Sequence, residues 1–140
     1  MRQILLFAAL AASLALLSGC ALSRAKEDKA EDITGKAAYH KISAEEAYEM
    51  MASQEVVVVD VRTREEYDGG HIENAVLVPN ENIGSEMPEA LPDKEAPLLV
   101  YCRSGRRSKD AAEKLLALGY QSVYDFGGVI DWPYELVKEE

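Results

Sequence analysis

Val56, Val57, Val58 and Val59 form an unbroken β-branched run, the pattern of a strand covered on both faces rather than a half-exposed one. Pro97-Leu98-Leu99-Val100-Tyr101 is a second apolar run, opened by proline, and predicts a buried strand. Val76-Leu77-Val78, ending before Pro79, and residues 122–126 predict two more. Between these runs the apolar spacing becomes helical. Residues 108–118 place Ala111, Leu115 and Leu118 on one face, and Gly119 follows where a helix commonly ends. Ser43-Ala44-Glu45-Glu46 has the form of a capping box and predicts a helix to about Ala52. A short helix is expected over residues 63–67, closed by Gly69-Gly70, and a helical turn over 82–87. Gly127-Gly128 is expected to open a terminal helical segment whose regularity Pro133 limits. Strands alternating with helices make this an α/β chain: three layers, with a mainly parallel central sheet and helices on both faces. The crossovers should be right-handed.

The start of the chain follows a different pattern. Residues 4–17 are apolar behind Met1-Arg2-Gln3, too few for a bilayer span, which needs about 20 residues. They fit the apolar region of a secretory signal. The run ends in Leu17-Ser18-Gly19-Cys20, which resembles a bacterial lipobox. That resemblance implies cleavage before Cys20, lipid on its thiol and acylation of the new amino terminus. Residues 1–19 are then a lipoprotein signal peptide. Residues 20–38 are a lipidated cysteine with a polar, flexible tether, whose span from Ser23 onward is about 20–25 Å. Residues 39–140 form one domain of ordinary size. The expected location is outside the cytoplasm, anchored by lipid to a bacterial membrane. That is the periplasmic side in a two-membrane cell, where Ala21 after the lipidated position favours the outer membrane, or the outer face of a single membrane.

Charge narrows the partners. The formal net charge is −10, and loss of Arg2 with the signal peptide makes it −10 − 1 = −11. An acidic surface opposes nucleic acid as a partner and repels anionic headgroups, so membrane attachment falls to acyl chains. Of the two cysteines, Cys20 is used for lipid, which leaves Cys102 as a lone thiol in an exported protein. With two scattered histidines and no cysteine pair, a metal site has no support, and no phosphate or dinucleotide fingerprint implies a cofactor.

Cys102 opens the segment Cys102-Arg103-Ser104-Gly105-Arg106-Arg107-Ser108, between a predicted strand and a predicted helix. Ligands of parallel sheets bind beyond the carboxyl ends of the strands. Free N–H groups and the helix dipole favour negative charge at such a position, and arginines add to it. Both effects lower a thiol pKa, into a range of about 3.5–7.5 at comparable sites. Asp60 and Arg62, at a strand end, read as an ion pair bracing the fold. His71 reads as a structural hydrogen-bonding residue, and Trp132 and the tyrosines as packing.

Three segments together resemble the single-domain rhodanese (sulfurtransferase) family over residues 40–137. The first is Asp60-Val61-Arg62-Thr63-Arg64-Glu65-Glu66-Tyr67, continuing through Gly70-His71-Ile72 to Ala75 and Pro79. The second is Cys102 to Arg107, which fits C-x-x-G-x-R. The third is Gly119-Tyr120, Val123-Tyr124 and Gly127-Gly128-Val129 with Trp132. Loop length separates this family from cysteine phosphatases, whose C-x5-R loop would need arginine where Ser108 stands.

The resemblance implies transfer of sulfane sulfur through a persulfide on Cys102. The donor is a small anion such as thiosulfate, and the acceptor is cyanide, a thiol or a protein. Arg103, Ser104, Gly105, Arg106 and Arg107 are the expected substrate-binding residues, with Arg107 favoured for sulfite. The competing reading is a non-enzymatic rhodanese-like module that binds a partner, or senses oxidants, at the membrane.

Overall fold

The computed structural model describes residues 37–139. The expectations for the signal segment, for Cys20 and for most of the tether lie outside these residues. Five strands form one sheet: β1 (Ala38–Lys41), β2 (Val57–Asp60), β3 (Val76–Leu77), β4 (Leu98–Cys102) and β5 (Ser122–Gly128). Their order is β1-β5-β4-β2-β3, and every pairing is parallel. The helices are α1 (Ala44–Ser53), α2 (Arg64–Asp68) and α3 (Arg106–Ala117), with 3-10 turns at Asn80–Asn82 and Val129–Asp131.

Strand β4 is the middle strand, and all five of its residues are buried. Side chains alternate across a strand. Leu98, Val100 and Cys102 therefore join the core shared with Ala111, Ala112 and Leu115 of α3. Leu99 and Tyr101 join the opposite core, with Ala47 of α1, Tyr67 of α2, Phe126 and Trp132. This is the expected three-layer α/β arrangement.

The helix ends follow local chemistry. At α1, Glu46 N donates to Ser43 Oγ at 3.1 Å and Ser43 N donates to Glu46 Oε2 at 2.7 Å, completing the expected box. A second box, Thr63 with Glu66, starts α2. Helix α3 ends at Gly119, with φ +96°. There Gly119 N reaches Leu116 O and Tyr120 N reaches Leu115 O, a Schellman closure.

Several boundaries differ from expectation. Helix α3 starts at Arg106, before Ser108, because Gly105 takes a left-handed φ of 100° and turns the chain early. Residues 83–87 are not helical; the turn sits at Asn80–Asn82, where Asn80 N is anchored by Val61 O. Gly127 and Gly128 belong to β5, and only a three-residue 3-10 turn follows. Strand β1 has no apolar run of its own and exists through pairing with β5 from Ala38↔Ser122 to Lys41↔Asp125.

Asp60 and Arg62 form the expected brace. Both are buried, and Arg62 Nη2 lies 2.6 Å from Asp60 Oδ2 and donates to Gly70 O at 2.8 Å. Tyr101 donates its hydroxyl to Asp60 Oδ2 at 2.7 Å and accepts from Ile72 N at 3.1 Å. Burial first, then the Asp60 charge, pushes the Tyr101 hydroxyl far up. The group ties β2, β4 and the turn after α2 together. His71 is structural as expected: its Nδ1 lies 3.0 Å from Tyr67 O, and its ring stacks on Tyr67 at 3.6 Å. Replacing Arg62 by alanine leaves the Asp60 carboxylate buried without its cation. We expect urea unfolding of Arg62→Ala to show a loss of about 3–5 kcal/mol.

Candidate active site

Cys102 ends β4 with its side chain on the α3 face; it is a free thiol and almost wholly buried. The chain must then turn sharply into α3, and β5 makes room for this. Val100 pairs with Asp125, but Cys102 pairs with Gly128, so β5 carries one extra residue there. That is a bulge, and its Gly127 has φ +88°. A Cβ on Gly128 would collide with Arg103 O and come within 2.6 Å of Ser104 Cα. Glycine at 128 is thus a condition for the loop path. On the same side, a Cβ on Gly105 would sit 3.4 Å from Gly127 Cα, besides straining its left-handed φ. Ile130 N donates to Arg103 O at 3.2 Å and fastens the outer turn of the loop.

This path turns amide donors inward. Gly105 N donates to Cys102 Sγ at 3.0 Å. No side chain caps the N-terminus of α3, where orphan N–H groups are expected. Burial is the strongest influence on the thiol and acts upward. The backbone N–H groups of Ser108, Gly105 and Ser104, with the Ser108 hydroxyl, together outweigh it, so the Cys102 pKa is lowered. Amide and hydroxyl donors, rather than the loop arginines, therefore lead in favouring the thiolate.

The arginines divide. Arg107 is held by Glu66 of α2 in a two-pronged ion pair, with Nη1 to Oε2 at 2.8 Å and Nη2 to Oε1 at 2.9 Å. The Arg107 hydrogen bond leads in holding the Glu66 carboxyl down at about 2. Arg107 also responds to the Cys102 charge, which puts it at the edge of the sulfur site. Arg103 and Arg106 are exposed and form no ion pair among the described residues. Ser104 is exposed, and its contribution to the thiol is its amide.

Three further residues belong to the site. In the sequence Glu66 is legible only as part of the Asp60–Tyr67 segment, with no role of its own; its grip on Arg107 spans 41 residues. Ser108 lies just beyond the C-x-x-G-x-R segment and is fully buried. It donates to Asp125 Oδ1 at 2.7 Å and lies 3.0 Å from Gly105 O. Asp125, buried under the loop, also accepts from Gly127 N at 2.9 Å and from the Tyr39 hydroxyl at 2.9 Å, and pairs with Lys41 at 3.3 Å. Burial and then Asp125 push the Tyr39 hydroxyl up to about 12. Asp125 thereby joins β1, β5, the bulge and the first turn of α3. Among the described residues, no group of three His, Cys, Asp or Glu side chains converges as metal ligands would.

A family model described as Rhodanese-like domain matches residues 43–133. A tRNA uridine(34) hydroxylase of Yersinia pestis is 33% identical over 98 residues, which is 66% of this chain but 28% of that protein's length. A rhodanese-like domain protein from Staphylococcus aureus is 32% identical with a TM-score of 0.62, covering 72% of this chain and 99% of that one. A human single-domain sulfurtransferase is 26% identical with a TM-score of 0.59, covering 66% of this chain and 93% of that one.

Ser108→Ala removes a buried hydroxyl that helps lower the Cys102 pKa and that donates to Asp125 beneath the loop. In Ser108→Ala, the pH midpoint of thiolate formation, read from alkylation rate against pH, should rise. An unchanged midpoint would leave the amides as the sole cause. Glu66 yields a second expectation. A carboxyl whose folded pKa is depressed stabilises the fold above its unfolded pKa and loses that contribution as pH falls. The window therefore runs from its ordinary value of 4.5 down to about 2. The urea midpoint of wild type should exceed that of Glu66→Gln at neutral pH, and the gap should close toward pH 2.

Proposed function

The chain belongs to the rhodanese-like domain family, and on that premise we propose that it transfers sulfane sulfur through a persulfide on Cys102. The observation that carries this reading is the set of inward amide donors around a thiol whose pKa is lowered. A terminal persulfide sulfur is a small anion, and the same donors suit it. The Cys102 thiolate attacks the outer sulfur of thiosulfate. A bond forms between the two sulfurs while the sulfur–sulfur bond of thiosulfate breaks, its electron pair leaving with sulfite. Cys102 then carries a persulfide anion, and total charge is conserved. A thiophilic acceptor such as cyanide, a thiol or a protein thiol attacks the terminal sulfur and returns the thiolate.

The arginines take different parts in this scheme. Arg103 and Arg106, exposed on a protein of net charge −10, offer an anionic donor a local cationic entry. Arg107 stabilises the departing sulfite from its place against Glu66. The same acidity argues against extending a tRNA substrate to this chain from the hydroxylases it resembles, since tRNA binding draws on cationic contacts to phosphate. The lipobox-like Leu17 to Cys20 supports action outside the cytoplasm at a membrane surface, anchored through lipid on Cys20.

The purified, reduced protein should gain the mass of one sulfur atom on incubation with thiosulfate. Cyanide should remove it, and Cys102→Ser should not acquire it. No gain in a folded protein with a free thiol would reject thiosulfate as donor. Failure with other persulfide donors as well would favour a partner-binding module over an enzyme.

A further inference from the structure

A cleft of about 850 Å³ lies away from the loop after β4. It is built from the last turns of α1, the start of β2, the turn at 72–74 and residues 132–135. Its buried lining belongs to the α1-side core, whereas the Cys102 side chain belongs to the α3-side core. The cleft is therefore a separate feature, within the usual size range of small-molecule sites.

Its chemistry is one-sided. Tyr48, Trp132 and Tyr134 form an aromatic corner, with Tyr48 stacked on Tyr134 at 3.9 Å and Trp132 edge-on to Tyr134 at 4.9 Å. Tyr48 remains 46% exposed, so this corner is not closed over by the protein. Glu55, Glu73 and Glu135 also line the cleft; all three are exposed, and none forms an ion pair among the described residues. No lysine, arginine or histidine lines it. Trp132 is 9% exposed, and its buried indole N–H has no acceptor among the described residues. Asn74, at the rim, holds a left-handed φ of 62°.

Aromatic faces with unpaired carboxylates attract a cation that carries an apolar body, because ring quadrupole and charge act in the same direction. We propose that this cleft binds a small organic cation of the alkylammonium class. The site is independent of the sulfur chemistry, so its failure would leave that reading untouched.

Trp132 is the single tryptophan of the chain, which makes its fluorescence a direct report from the cleft. Choline serves as the probe, and 3,3-dimethylbutan-1-ol, its uncharged isostere, as the control. Choline should change Trp132 fluorescence saturably and bind about tenfold more tightly than the isostere. Glu73→Gln with Glu135→Gln should erase most of that preference while the urea transition is retained. Tyr134→Leu should weaken choline and leave the isostere nearly unchanged. Equal binding of the two probes would overturn the proposal. So would indifference to the paired glutamine substitutions, or absence of saturable change in both fluorescence and titration heat.

Discussion

The backbone of Arg103 and Ser104 rests on Gly128, where any Cβ would collide with it. The rest of the site depends on that contact. It lets the chain leave β4 and enter α3 within a few residues, which turns amides inward instead of toward solvent. The bulge in β5 supplies the glycine at the right place, and the Asp125 carboxylate fixes the bulge through Gly127 N. A buried thiol alone would be pushed toward the neutral form. Here a backbone path reverses that tendency without bringing a free cation to the sulfur.

Three carboxylates hold the domain's charged groups at separate places. Asp60 fixes Arg62 and Tyr101 on the α1 side of the sheet. Asp125 fixes Ser108 and Lys41 beneath the loop. Glu66 fixes Arg107 at the loop's edge. Each carboxylate has partners, so none stands as an unpaired anion beside the thiolate. Only the Asp60–Arg62 pair is buried at both ends; such a pair is weak evidence for added stability, but it favours one arrangement of the groups it joins. The result is a sulfur centre that two exposed guanidinium groups can serve electrostatically, while only the backbone of Arg103 belongs to its frame.

The parts of this arrangement legible in the sequence are those carried by short segments. The β4 run, the α1 capping box, Gly119 and the spacing from Cys102 to Arg107 each depend on neighbours within a few residues. The Asp60–Arg62 pair was readable for the same reason. What escaped was long-range: Glu66 with Arg107 across 41 residues, Ser108 with Asp125 across 17, and Tyr39 with Asp125 across 86. Strand β1 escaped because its residues carry no strand pattern without β5 beside them. The early start of α3 also belongs here, since Gly105 turns left-handed where it meets Gly127. Glu66 caps α2 and also holds Arg107, and no local pattern could show the second role.

The spacing of these contacts sets an order in time. A chain is made from its amino terminus, so Cys102 emerges well before Asp125, Gly127 and Gly128. Until β5 docks against β4, the loop has no surface to curl upon, and the Cys102 sulfur lacks its converging donors. A nascent or unfolded chain therefore carries an ordinary, mostly protonated thiol, which is slow to oxidise or to form mixed disulfides. Reactivity arrives with the last strand, when burial has already restricted which molecules can reach the sulfur. Completion of the sheet thus acts as the maturation step of the nucleophile.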